Sequence, residues 1–139
     1  MPILTRLFIK TSFLYLIVAL LIGVLLVGRS VWQLPAWLAG LSPVYFHLLM
    51  VGWVTQLIFG VAYWMLPKYS QQQPHGFDSV WWATFWLLNI GVLLRAIAEP
   101  LRATPSTALW GWLLAASAVL QWLAGIAFVF NAWLRTKER

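Results

Sequence analysis

Four long stretches of this 139-residue chain consist almost entirely of apolar residues, and they limit the folds open to it. They cover roughly residues 7–27, 43–66, 79–98 and 106–130, and a helix of about 20 apolar residues crosses a bilayer. Hydrophobic residues make up 63% of the chain and charged residues 9%. A small soluble domain has too little interior to bury so much apolar surface. The sequence therefore excludes a soluble or nucleic-acid-binding protein and predicts an integral protein of the lipid bilayer.

The four spans predict an all-α fold, a four-helix transmembrane bundle of up-down-up-down order that forms a single domain over residues 1–139. One side of the membrane would carry six basic residues, namely Arg6, Lys10, Lys68, Arg135, Lys137 and Arg139. The other side would carry Arg29 and Arg102, with Arg95 just inside it. Because cytoplasmic loops carry an excess of Lys and Arg, we expect both termini in the cytoplasm. We expect the membrane to be a bacterial inner membrane.

Few side chains of this sequence can carry metal or proton chemistry. The chain has no cysteine, two histidines and three acidic residues, which excludes disulfides, thiolate metal sites and iron–sulfur clusters. His75 falls in the polar loop after the second span, whereas His47 lies near the outer end of that span. An ionisable residue inside a span is a candidate functional residue, so His47 is the first candidate.

The helix that carries His47 has two different faces. An apolar wall continues from His47 along its own face, formed by Val51, Val54, Ile58, Val61 and Met65. The opposite face carries Gly52, Gln56 and Gly60. Small residues let helices approach closely and a buried amide can hydrogen-bond across them. We expect one face to pack in the bundle and the other to lie along a flat ligand.

Arg95 is the second candidate, because spans two and three run in opposite directions and bring it to the depth of His47. Gly91, one turn below, would leave space beside it. In one interpretation Arg95 extends to the membrane surface and pairs with Glu99, four residues on. In the other it binds an anionic group, such as a carboxylate, next to His47.

A histidine above an apolar wall and beside arginines suits haem. Neutral imidazole can ligate the iron, apolar side chains can cover the macrocycle, and basic residues can meet the propionates. The alternative is that His47 makes only a hydrogen bond between helices. Copper remains a second choice of metal, since several imidazoles can bind it.

The run from His47 to Pro67, HLLMVGWVTQLIFGVAYWMLP, resembles the second transmembrane helix of haem–copper oxidase subunit I, in the form found in cbb3-type oxidases and nitric oxide reductases. The segment from Phe85 to Gly91 resembles the next helix of that family. The resemblance covers the first four helices of a twelve-helix subunit. It implies that His47 is an axial ligand of haem b.

The chain lacks the later helices that carry the family's second haem ligand and its copper ligands. The isolated chain is therefore not expected to be an enzyme, and we assign no catalytic residue. The candidate cofactor-binding residues are His47, Arg95, Met50, Val51 and Val54, with His47 as the metal ligand. A homodimer or higher homo-oligomer could share one haem through two copies of His47. Otherwise Met50 could take part, or the iron could be five-coordinate and bind gas.

Two functions follow from the sequence. The first is a small haem b protein that serves electron transfer with a redox partner, or handles gas or haem. The second is a cofactor-free membrane subunit that packs against larger partners, in which His47 and Arg95 are structural. A transporter is disfavoured, because the spans hold almost no acidic residue for ion coupling.

Overall fold

A computed structural model describes residues 1–102 and 108–136 of the chain. Four long apolar helices form a bundle, which confirms the all-α fold. They comprise α1 (Ile3–Gly28), a second span (Trp37–Met65), α4 (Asp78–Leu101) and α5 (Ala108–Arg135). Each is long and apolar enough to cross a membrane. The predicted start of the fourth span, at residue 106, lies outside the described residues.

The second span changes its helix type along its length. A 3₁₀ turn (Ala36–Leu41) leads into α2 (Ser42–His47), a π-helical segment (Leu48–Thr55) and then α3 (Gln56–Met65). A π turn bonds residues five apart, and the Thr55 hydroxyl donates over the same separation to the Met50 carbonyl, at 2.9 Å. The sequence predicted a regular α-helix over this whole span, and the π segment is a difference from that expectation.

The helices alternate in direction, and different residues meet at the two ends of the bundle. Phe8 of α1 packs against Gly60 of α3 near the N-terminus, whereas Gly23 packs against Tyr45 of α2 at the opposite end. Arg135 of α5 contacts the end of α3. We call the end with Phe8 and Arg135 the terminus end, and the end with Tyr45 the far end.

Glycines allow α1 and the second span to pack closely. A Cβ on Gly52 would lie 2.9 Å from Cγ of Tyr15, and one on Gly60 would lie 2.6 Å from Cβ of Phe8. Between them Gln56 is fully buried and its Nε2 lies 3.5 Å from the Phe8 carbonyl oxygen. The predicted packing face of Gly52, Gln56 and Gly60 is confirmed.

A second glycine contact joins α4 and α5. The Ser117 hydroxyl of α5 donates to the Gly91 carbonyl at 2.7 Å, and a Cβ on Gly91 would lie 2.8 Å from Cγ of Gln121. The expectation that Gly91 leaves space beside Arg95 is therefore wrong, since α5 fills that space.

Aromatic side chains fill the core at the terminus end. Phe8 and Phe85 meet edge to face with ring centroids 5.1 Å apart, and Phe59 stacks on Phe128 at 3.9 Å. Trp81 is fully buried beside them. This core joins all four helices, so it fixes how the polar residues at the two ends are placed.

Candidate functional site

His47 is the last residue of α2 and lies directly before the π segment. Its side chain is partly buried, and the Pro43 carbonyl one turn earlier lies close enough to act on its imidazole. A ring nitrogen that donates to a carbonyl fixes the orientation of the imidazole and leaves the other nitrogen available as an acceptor or metal ligand.

Two charged residues of α4 lie beside His47. Arg95 Nε is 3.1 Å from Glu99 Oε2, and both charges act on the His47 imidazole. Of the two interpretations of Arg95, pairing with Glu99 is present as an ion pair. His47 and Arg95 also share the far end of the bundle, as their depths in the sequence predicted.

The ion pair between Arg95 and Glu99 is poorly formed. Both Nε and Oε2 are buried, yet neither has a hydrogen-bond partner among the described residues. Their separation is short, so the angle between the groups rather than the distance prevents the bond. Trp53 Nε1, in the π segment, is a third buried polar atom without such a partner. The depth of Trp53 in the span predicts that it packs between helices or against a flat ligand.

The remaining candidate residues lie in the π segment with different surroundings. Met50 is 55% exposed on the surface of the bundle. Val51 and Val54 are both partly buried, and Val51 packs against two separate clusters of buried apolar side chains. Further along, Ile58 and Met65 are exposed. The wall below His47 is thus partly inside the bundle and partly on its surface.

A groove lies against α1 at the far end of the bundle. It has a volume of about 640 Å³ and runs between the end of α1 and α2, lined by Gly23, Val27, Trp32 and Tyr45 among others. His47 is not among its lining residues. In the part of the chain that the structure describes, no three histidine or acidic side chains cluster closely enough to hold a metal ion.

A second polar cluster lies at the terminus end. Arg135 is almost fully buried and its guanidinium donates to three carbonyls at the end of α3, those of Tyr63 (2.9 Å), Leu66 (2.5 Å) and Pro67 (2.9 Å). These carbonyls have no partner within the helix. The sequence indicated Arg135 only as one of the basic residues that set the topology, and this contact was not predicted.

His75 belongs to this second cluster, on the opposite side from His47 as predicted. Its ring stacks on Tyr63 with centroids 4.4 Å apart, and its Nδ1 is 4.0 Å from an oxygen of Asp78. Burial lowers the pKa of His75 below its usual value, an effect that nearby Asp78 opposes and that Arg135 and Lys68 reinforce. Tyr63 also donates a hydrogen bond to Asp78, so the residues around His75 form a structural junction between α3 and α4.

No family model matches the chain, and neither does any curated protein or solved structure. The resemblance of residues 47–67 to haem–copper oxidase subunit I therefore remains a prediction from the sequence.

Proposed function

We propose that this integral membrane protein binds haem b, with His47 as an axial ligand of the iron, and that it serves electron transfer or gas or haem handling. The observation that carries the proposal is the environment of His47. Its ring is within the influence of the Pro43 carbonyl and of the Arg95 cation, and it is followed by a π segment.

Each of these features fits an axial ligand. Histidines that ligate a metal commonly donate their second ring N–H to a carbonyl, which fixes the tautomer and the ring plane. π turns within α-helices occur frequently at functional sites. Arg95 supplies a positive charge at the depth of His47, where a haem propionate would need a partner.

The surroundings of His47 also favour a haem shared between two chains. Phe46 is 56% exposed and Met50 is 55% exposed, so apolar side chains on both sides of His47 face outward. A second copy of the chain related by a two-fold axis would bring its own His47 to the other face of the same haem. Met50 as sixth ligand and a five-coordinate iron are the alternatives within one chain.

The test is an absorption spectrum of the detergent-purified protein, oxidised and reduced, after expression with ample haem. We expect a Soret band and a reduced α band. His47→Ala should abolish both, whereas His75→Ala, the matched change at the terminus end, should retain them. A wild-type protein without a Soret band, or loss of haem in His75→Ala with retention in His47→Ala, would refute the proposal.

One observation favours the alternative of a cofactor-free membrane subunit. Arg95 already has an anionic partner in Glu99, so its charge does not require a ligand. Much of α5 is exposed along its length, including Trp112, Trp122 and Trp133, and could face larger partners as well as lipid. The same spectrum separates the two functions.

We also propose that the chain lies in the bacterial inner membrane with both termini in the cytoplasm. The described basic residues support this, since Arg6, Lys10, Lys68 and Arg135 belong to the terminus end, and Arg29 and Arg102 to the far end. Two further basic residues of the count, Lys137 and Arg139, lie outside the described residues.

A further inference from the structure

We propose that Glu99 is an internal substitute for the carboxylate of a ligand, held by Arg95 until a carboxylate-bearing ligand binds at His47 and takes its place. This inference rests on the proposed function and adds an exchange step to it. The carboxylate would be a haem propionate.

The geometry of the Arg95–Glu99 pair is suited to exchange. A strong arginine–carboxylate pair makes two parallel hydrogen bonds, whereas this pair approaches to 3.1 Å through Arg95 Nε and Glu99 Oε2 without a hydrogen bond at either atom. The arginine precedes the acid by four residues, which is the weaker order for an ion pair along a helix. A ligand carboxylate is not attached to the same helix. It could therefore align with two N–H groups of the guanidinium and form both hydrogen bonds.

The pair nevertheless balances two largely buried charges. The side chains of Arg95 and Glu99 are only 25% and 13% exposed. A largely buried charge without a counter-charge is costly. Glu99 therefore compensates the Arg95 charge and would compete for it with any incoming anion.

A second arginine can receive Glu99 when it is displaced. Arg102 follows Glu99 by three residues and is exposed at the far end of α4. An acid that precedes a base by three residues lies on the same side of a helix and has the favourable order for pairing. Rotation of the Glu99 side chain from Arg95 toward Arg102 would keep the carboxylate charged and paired while Arg95 binds the ligand.

The test compares two probes, haem and haem dimethyl ester, which has no free carboxylate. Each is titrated into the detergent-purified apoprotein and followed by its Soret band. Glu99→Gln should tighten haem binding on the order of fivefold, as expected for loss of a competing ion pair of ordinary strength. It should leave binding of the dimethyl ester unchanged, because the ester does not compete for Arg95. Arg95→Gln should weaken haem binding and leave the ester unaffected.

Asp78→Asn is the matched control, since it removes one negative charge at the terminus end and should change neither affinity. Glu99→Asp, with a shorter side chain, is a second variant if Glu99→Gln does not fold, and it should also tighten haem binding selectively. Haem binding that is unchanged or weaker in the Glu99 variants, or an equal change for both probes, would overturn the inference while leaving the proposed function intact. If the wild-type protein binds neither probe, the proposed function fails and the inference fails with it.

Discussion

The arginines Arg135 and Arg95 lie at opposite ends of the bundle and differ in how their charge is satisfied. Arg135 is almost fully buried and donates hydrogen bonds to three carbonyls at the end of α3. Arg95 has one anionic partner and no hydrogen bond at Nε. Hydrogen bonds to a buried charged group contribute to stability, so Arg135 is a structural residue, whereas Nε of Arg95 has no acceptor among the described residues.

The role of Arg135 predicts a loss of stability on its replacement. Arg135→Met keeps an unbranched side chain but leaves three carbonyls without a donor, which should cost about 3 kcal/mol of unfolding free energy. Arg6→Met removes the same charge from an exposed position and should change the stability little. Denaturant unfolding of the detergent-solubilised protein, followed by tryptophan fluorescence, measures both. Equal stability of the two variants would contradict this role.

The two arginines also show which part of the site the sequence could predict. Arg95 could be placed near His47 because depth in a span follows from counting residues along two antiparallel helices. The same counting pairs Arg95 with Glu99, four residues away. The partners of Arg135 are carbonyls, and their position depends on where α3 ends relative to α5. No residue type in the sequence marks that position.

At the scale of the helices, the contact between α1 and the second span could be predicted but the π segment could not. Glycines and a glutamine spaced by four residues form one face of a helix, so Gly52, Gln56 and Gly60 indicate a packing surface directly. A shift to π hydrogen bonding leaves the hydropathy of the span unchanged, and Thr55 is the one polar side chain that supports it. The exposure and packing of Met50 and Val54 could therefore be described only from the structure.

The glycine contact predicts a selective effect of adding one methyl group to a helix. In Gly60→Ala the new Cβ would lie 2.6 Å from Cβ of Phe8, so the helices must separate, at a cost of about 1–3 kcal/mol. Gly125→Ala makes the same change in α5, where nothing lies within 4 Å, and should be neutral or stabilising by up to about 1 kcal/mol. The same unfolding measurement compares them. If Gly60→Ala is as stable as Gly125→Ala, the close approach of α1 and α3 is wrong.

At the scale of the whole molecule, the apolar bundle separates two polar clusters with different residues. The far end holds His47, Arg95 and Glu99, with the poorly formed ion pair. The terminus end holds Arg135 and His75, whose polar groups tie the loop after α3 to the bundle. The proposed orientation would place the proposed haem near the outer surface of the membrane and the structural junction on the cytoplasmic side.

This orientation can be tested because the chain has no cysteine of its own. Ser30→Cys and Ser70→Cys each introduce one thiol at an exposed position in a loop, at the far end and at the terminus end respectively. In intact cells a membrane-impermeant maleimide should label Ser30→Cys and should not label Ser70→Cys, because the excess of basic residues near the terminus end favours the cytoplasm for that end. In inside-out vesicles the pattern should reverse, which controls for the reactivity of each thiol. Labelling of Ser70→Cys alone in intact cells would invert the topology and move His47 to the cytoplasmic side, where the donor or acceptor of its electrons would also have to lie.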